Sequence, residues 1–309
     1  MKHLKLIFLS ACFRIVFLST GTAHPGSGII VDEKGNVYFT YNGVVKISSD
    51  GTVSYFHKAS DGHWLCLDEM GSFSRTNPIY FKRISPEAES PAIIFAGGGS
   101  PIVVNKDGNL YYCGGLQGDL NPGAKTIIRE SPQKQQFILN PRLEDSLDKL
   151  DDGITALTAA PDGSLYLGCW NSLLRVGIDG KISMLLHPVL IRDCDEDLAD
   201  HRVENRGKPL LRGIAVDSGG SIYAAATSCH CLIKISPDKK ITTILKSERP
   251  WTPTGVALRN GELYILEYTN ANGPRTEGWL PRVRKIDRNG QVSTLADFSK
   301  NQNQSFSLN

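Results

Sequence analysis

Two sets of residues in this chain have the types and spacing to do chemistry. The first consists of polar side chains that each stand just before a short apolar run: Ser27, His63, Ser100, Thr155, Arg212 and Thr254. Hydroxyls with one imidazole and one guanidinium suit an anionic or polyhydroxylated small molecule, because Arg212 offers a bidentate fork and His63 can donate or accept. Each charged member has a competing structural role. Arg212 can pair with the acids that precede it, Asp193, Asp195, Glu196 and Asp197, and His63 can be a satisfied structural histidine. Trp170 with Asn171 and Glu267 with Tyr268 fall at the ends of other apolar runs. There they line a sugar or carboxylate pocket, together with Trp251 and Trp279, or pack loops against the scaffold.

The second set is sulfur. Of seven cysteines, Cys12 lies in an N-terminal leader, and Cys66, Cys113, Cys169, Cys194, Cys229 and Cys231 remain. Cys229-His230-Cys231 invites a metal, with Cys113 and Cys169 at comparable places in earlier repeats, yet the spacing lacks the paired C-x-x-C knuckles of structural zinc. On a regular strand, alternation puts Cys229 and Cys231 on one face and His230 on the other, so one ion cannot take all three. The expectation is buried free thiols or a disulfide to a neighbouring repeat, with no zinc site.

These residues hang on a repeat. The stretch from Leu211 to Leu245 reads as four short strands with turns at Asp217-Ser218-Gly219-Gly220 and Pro237-Asp238. Aligning the first turns gives Asp32 to Gly35, Asp68 to Gly71, Asn105 to Gly108, Ala160 to Gly163, Asp217 to Gly220 and Arg259 to Gly261. The turn glycines lie 36, 37, 55, 57 and 41 residues apart, near the period of a four-stranded propeller blade with two insertions. Five of the runs that follow carry a tyrosine, which packing between blades explains. The second unit is degenerate, with Pro78, Pro86 and Pro91 breaking its run.

The phrases Gly213-Ile214-Ala215-Val216-Asp217 with Ser221-Ile222-Tyr223, and Pro253-Thr254-Gly255-Val256-Ala257 with Glu262-Leu263-Tyr264, resemble the NHL-repeat and SMP-30/gluconolactonase-like proteins. The resemblance covers roughly residues 27 to 298 and implies an all-β fold, a six-bladed β-propeller. It does not select a function, since propellers host enzymes, ligand binders and scaffolds. In such blades the long segments 114–125, 140–153, 187–211 and 270–281 emerge on one face and the short Asp/Gly turns on the other, so specificity is expected on the insertion-bearing face. The related enzymes hold a divalent metal in the ring, and the matching positions here are Ser27, Thr155 and Arg212. That set implies no metal and no other cofactor, unless Asp151 or Asp152 reaches in.

Lys2 and Lys5 ahead of an apolar stretch from Leu6 to Leu18, with Gly21 and Ala23 beyond, form a secretory signal pattern over residues 1–23, interrupted by Arg14. Leu9-Ser10-Ala11-Cys12 offers a lipoprotein box as the alternative, and the stretch is too short for a membrane span. The propeller then occupies 27–298 and a polar tail 299–309. A net charge of +2 with no long basic run excludes nucleic acid as a main partner. The expectation is a secreted or periplasmic monomer that binds a small molecule, or a partner protein, at its insertion-bearing face. The alternative is a lactonase-like hydrolase or lyase using the same central pocket. No serine-hydrolase elbow, phosphate loop or zincin motif is present.

Overall fold

In the first, third and fifth repeats the first turn is held by its own first side chain. Asp32 accepts the Asn36 amide at 2.8 Å, Asp217 that of Ser221 at 2.8 Å, and Asn105 that of Asn109 at 2.9 Å. The glycines inside these turns, Gly35, Gly220 and Gly108, have φ of 80°, 81° and 74°, a region that side chains with a Cβ rarely enter. The recurrent tyrosine ties the turn to the sheet: Tyr38 and Tyr223 each donate to the turn aspartate at 3.2 Å. Directly across the next hairpin the same tyrosine faces a cation, in the register pairs Tyr38↔Lys46, Tyr166↔Arg175, Tyr223↔Lys234 and Tyr264↔Lys285. The cations lie 5.5 to 6.0 Å from the ring centroids. The tyrosine therefore links turn, second strand and third strand as well as packing between blades.

The computed structural model describes residues 26–59, 62–73, 81–85, 91–97, 100–114, 126–139, 153–192, 194, 209–270 and 278–300. The residues 1–23 and the tail beyond 300 lie outside this set. Blade 1 is β1 (Ile29–Val31), β2 (Val37–Thr40), β3 (Gly43–Ile47) and β4 (Val53–Lys58). Blade 2 is β5 (Trp64–Asp68), β6 (Phe81–Arg83) and β7 (Ala92–Ala96). Blade 3 is β8 (Ile102–Val104), β9 (Leu110–Cys113), β10 (Ile127–Glu130) and β11 (Gln136–Ile138). Blade 4 is β12 (Ala156–Ala159), β13 (Leu165–Gly168), β14 (Leu173–Val176) and β15 (Ile182–Leu186). Blade 5 is β16 (Leu211–Val216), β17 (Ile222–Ala226), β18 (Cys231–Ile235) and β19 (Ile241–Lys246). Blade 6 is β20 (Thr252–Arg259), β21 (Glu262–Asn270), β22 (Trp279–Ile286) and β23 (Val292–Asp297). The six antiparallel sheets form a six-bladed β-propeller. No helix among the described residues is long and apolar enough to cross a membrane.

Blade 2 departs from the expected four-strand pattern. Among the described residues it has three strands in the order β5-β7-β6, so the second position is filled by Ala92–Ala96 and not by the run around Phe73. A strand flanked on both sides and covered on both faces must be apolar throughout. Ala92–Ala96 meets that demand, since all five of its residues are buried. Phe73 stays in place as a fully buried plug, its amide donating to Asp68 at 2.7 Å.

The inner strands β1, β5, β8, β12, β16 and β20 each pair on one edge only. Their other edges, with unpaired peptide groups, surround a central channel of about 440 Å³. The strands approach so closely that a Cβ on Gly255 would lie 2.3 Å from the Ser27 carbonyl oxygen, and one on Gly213 would lie 2.6 Å from the Gly255 Cα. The ring closes without strand exchange among the described residues, because β1–β4 and β20–β23 are separate sheets. Closure rests on packing. Ile29, Val37 and Phe39 of blade 1 share a buried cluster with Tyr264, Leu266 and Val283 of blade 6, and Phe298 sets its ring edge-on to Phe39 and Tyr41 at 5.9 and 5.1 Å. On the short-turn face, Arg259 reaches Glu33 and Glu69 at 3.5 and 3.4 Å.

The seam gives a direct test. Gly255→Ala places a methyl against backbone that cannot rotate away, so it should destabilise the protein by about 1–3 kcal/mol. Urea unfolding of the variant beside the parent measures this, and an unchanged midpoint would show that the seam can widen freely.

Candidate functional site

The strands β16 and β20 each slip register once near their starts, between Leu211 and Gly213 and between Pro253 and Gly255. The extra residues are Arg212 and Thr254. A bulge re-aims the side chain it carries, and the glycine that follows each one lets the strand return to close contact with its neighbour. Arg212 is partly buried. Burial pushes its guanidinium down to about 10, and the nearby Tyr268 phenol acts in the opposite sense. Tyr268 is itself buried, which raises its pKa, and its hydroxyl donates to the Thr40 carbonyl of blade 1.

The ring hydroxyls divide into two pairs. Thr155 Oγ1 donates to the Leu211 carbonyl of blade 5 at 2.6 Å, and Thr254 Oγ1 donates to Gly26 beside blade 1 at 2.8 Å. These two are inter-blade ties. Ser27 and Ser100 are 3% and 0% exposed, and their Oγ atoms have no hydrogen-bond partner among the described residues. A buried hydroxyl left this way needs water or a bound group to satisfy it. His63 is partly buried, and its carbonyl holds blade 1 by accepting the Ser27 and Gly28 amides at 2.9 and 2.7 Å.

Of the residues at the second-strand ends, Trp170 is partly buried and its carbonyl accepts the Leu211 amide at 3.3 Å. Asn171 holds the following loop, its carbonyl accepting the Val189 amide at 2.7 Å. Glu267, read from the sequence as a pocket acid, is 0% exposed. Its carboxylate accepts from Arg282 Nε at 2.8 Å, from Arg284 Nη2, and from Ser247 Oγ at 2.5 Å. Arg282 also bonds Glu248 and lies 4.2 Å from the Trp251 ring centroid. Sequence reasoning missed this cluster between blades 5 and 6. Its trace was two arginines at alternate positions of one strand, Arg282 standing directly across from Glu267.

The sulfur chemistry is also resolved. Cys194 and Cys229 form a disulfide, while Cys66, Cys113, Cys169 and Cys231 are buried free thiols. Burial raises the thiols of Cys66 and Cys113 and pushes Cys231 up to about 11, so these three are not reactive thiolates at neutral pH. The regular alternation expected for Cys229-His230-Cys231 does not hold. Thr227–Cys229 is a 3-10 turn, and His230 takes a left-handed φ of 50° before β18 begins at Cys231.

The positions at which related enzymes hold a divalent cation do not fit one here. Thr155 Oγ1 is directed at a backbone carbonyl, Ser27 offers one neutral hydroxyl, and Arg212 is a cation, whereas hard metals need several carboxylate or carbonyl oxygens. Among the described residues no group of three His, Cys, Asp or Glu side chains could hold a metal. Asp151, Asp152, Asp193, Asp195, Glu196 and Asp197 lie outside the described residues.

No protein-family model matches the sequence, and no curated protein does. Solved structures do match. An auxiliary nutrient binding protein from Bacteroides thetaiotaomicron aligns at 13% identity over 85% of this chain and 69% of its own, with a TM-score of 0.52. A luciferin-regenerating enzyme aligns at 14% identity over 85% of this chain and 92% of its own, with a TM-score of 0.50. A streptogramin B lyase aligns at 13% identity over 87% and 81%, with a TM-score of 0.40. At these identities the likeness is one of fold, and it agrees with the six-bladed propeller expected from the NHL and SMP-30-like phrases.

Glu267 carries the sharpest expectation from this geometry. Glu267→Gln leaves Arg282 and Arg284 buried with one mostly exposed carboxylate, Glu248, and should cost about 3–5 kcal/mol of stability. Chemical denaturation measures it, and a loss under about 1 kcal/mol would mean that the cluster is open to solvent.

Proposed function

We propose that the protein is exported and binds a small anionic or polyhydroxylated molecule at the centre of its insertion-bearing face, with Arg212 orienting the anionic group. The observation that carries this reading is Arg212 itself, a partly buried guanidinium projected by a β-bulge at the end of an inner strand and held down to about 10 by burial. A desolvated guanidinium remains charged at neutral pH and gains from an anion that supplies oxygen acceptors in its plane. Ser27 and Ser100, which stand in the same ring and keep unused hydroxyls, are suited to the neutral part of such a ligand. Thr155 and Thr254 position the ring and leave the contact to these groups. The Cys194–Cys229 disulfide and the signal pattern at the N-terminus both support export.

The fold is compatible with binding and with catalysis, since an auxiliary nutrient binding protein and a luciferin-regenerating enzyme both share it. The binding reading is preferred because the ring supplies recognition groups, a guanidinium and two hydroxyls.

The test is a thermal-shift and calorimetric screen of small carboxylates, phosphates and neutral polyols against the parent protein and Arg212→Met. A charge-assisted hydrogen bond in a partly buried site contributes about 1.5–3 kcal/mol, so Arg212→Met should weaken an anionic hit about ten- to a hundredfold. The melting temperature without ligand should stay close to that of the parent. A variant that binds as tightly while melting earlier makes Arg212 a structural residue and ends the proposal. Turnover of a hit would assign the lactonase-like or lyase alternative to the same pocket.

A further inference from the structure

The turn from Thr227 to His230 bonds to three other segments of the chain, around Pro209, Ser247 and Trp251 to Pro253. Its Thr227 amide donates to the Leu210 carbonyl at 3.0 Å, and its Ser228 amide donates to Pro209 at 3.1 Å. Those bonds fix the two residues that lead into Leu211 and Arg212. Thr227 Oγ1 donates to the Pro253 carbonyl at 2.9 Å, beside Thr254. His230 accepts the Ser247 amide at 2.8 Å, and its Nδ1 lies 2.9 Å from the Trp251 carbonyl and 3.0 Å from Thr252 Oγ1. Both sides of the clamp are held in left-handed backbone, Leu210 at a φ of 48° and His230 at 50°. Side chains of this size adopt that region only when their surroundings force it. Cys229, 1% exposed, lies in the middle of the turn and is bonded to Cys194, which sits at the partly exposed edge of the segment leading out of blade 4.

We infer that the Cys194–Cys229 disulfide is the positioning element of the Arg212 site, and that its reduction releases Leu210 from its forced conformation, withdraws Arg212 and switches ligand binding off. This rests on the reading of Arg212 given above. The redox step balances with a dithiol reductant. Its thiolate attacks Cys194 Sγ, the more accessible sulfur, and Cys229 leaves as a thiolate that takes up a proton. The second thiol of the reductant then attacks its sulfur bound to Cys194, releasing the Cys194 thiolate and leaving the reductant as a cyclic disulfide. Cys231, two residues from Cys229, does not interfere, because burial keeps it a protonated thiol.

The experiment compares the oxidised protein, the protein reduced with dithiothreitol, and Cys194→Ser, which removes the outer sulfur. Amide hydrogen exchange gives a readout that needs no ligand. Exchange at Thr227, Ser228 and Leu211 should rise about tenfold or more in both altered forms, while β2, β9 and β13 keep their protection. Titration with inorganic phosphate gives the second readout, with a loss of affinity of about tenfold or more expected on reduction. Unchanged local exchange, or protection lost evenly through all six blades, overturns the inference, since the disulfide is then inert or a global staple. Phosphate bound equally well before and after reduction overturns it too, and leaves the Arg212 site standing. Local exchange that rises as expected in a protein that never binds phosphate supports the positioning role and removes phosphate-like anions from the proposed function.

Discussion

The structure depends on ring closure through inner strands that nearly touch. A four-stranded sheet of this kind is apolar on both faces, so no blade is stable alone and each must be sandwiched by two others. The arrangement succeeds only if the last blade meets the first at the same spacing as every other pair. Glycines set that spacing: Gly28 against the Leu65 amide, Gly213 against Gly255, and Gly255 against Ser27. No strand crosses the seam among the described residues, so the aromatic contacts of Phe298 and the hydrogen bonds from Thr254 and Tyr268 do the work that a shared strand would otherwise do.

That constraint explains how the polar residues of the insertion-bearing face are used. Tilted sheets around an axis leave carbonyls at the strand ends, where neighbouring blades diverge and no sheet partner is available. Thr155, Thr227, Thr254 and Tyr268 satisfy such carbonyls on the next blade in turn, at Leu211, Pro253, Gly26 and Thr40. The same series of donors runs from blade 4 through blades 5 and 6 to blade 1. A hydroxyl engaged in this way is a fixed part of the frame, which is why similar residues of one ring divide into those that hold the scaffold and those, Ser27 and Ser100, whose hydroxyls remain unused.

Much of the fold was legible because its signals are local. Turn glycines, the tyrosine three residues beyond them and the cation in the third strand all recur within one repeat. The exchange of strand positions in blade 2 was not legible. It depends on which of two runs, the one around Phe73 or Ala92–Ala96, can be buried on both faces, and that comparison reaches across some twenty residues of broken pattern. For the candidate residues, strand position was legible and local geometry was not. Repeat alignment placed Arg212 before an inner strand, but the bulge that re-aims it follows from Gly213 packing on Gly255 of another blade. Glu267 shows the same limit, since its environment is set by hairpin register and by Ser247 and Glu248 at the end of blade 5.

The chain buries its arginines in two different environments. Between blades 5 and 6, Arg282 and Arg284 are matched with Glu267 and Glu248, a balanced set that removes one partner only at high cost. Arg212 stands instead beside Tyr268, whose phenol burial holds in the neutral form. The arginine and carboxylate set fixes blades 5 and 6 together, and the Tyr268 hydroxyl beside Arg212 ties blade 6 to the Thr40 carbonyl of blade 1.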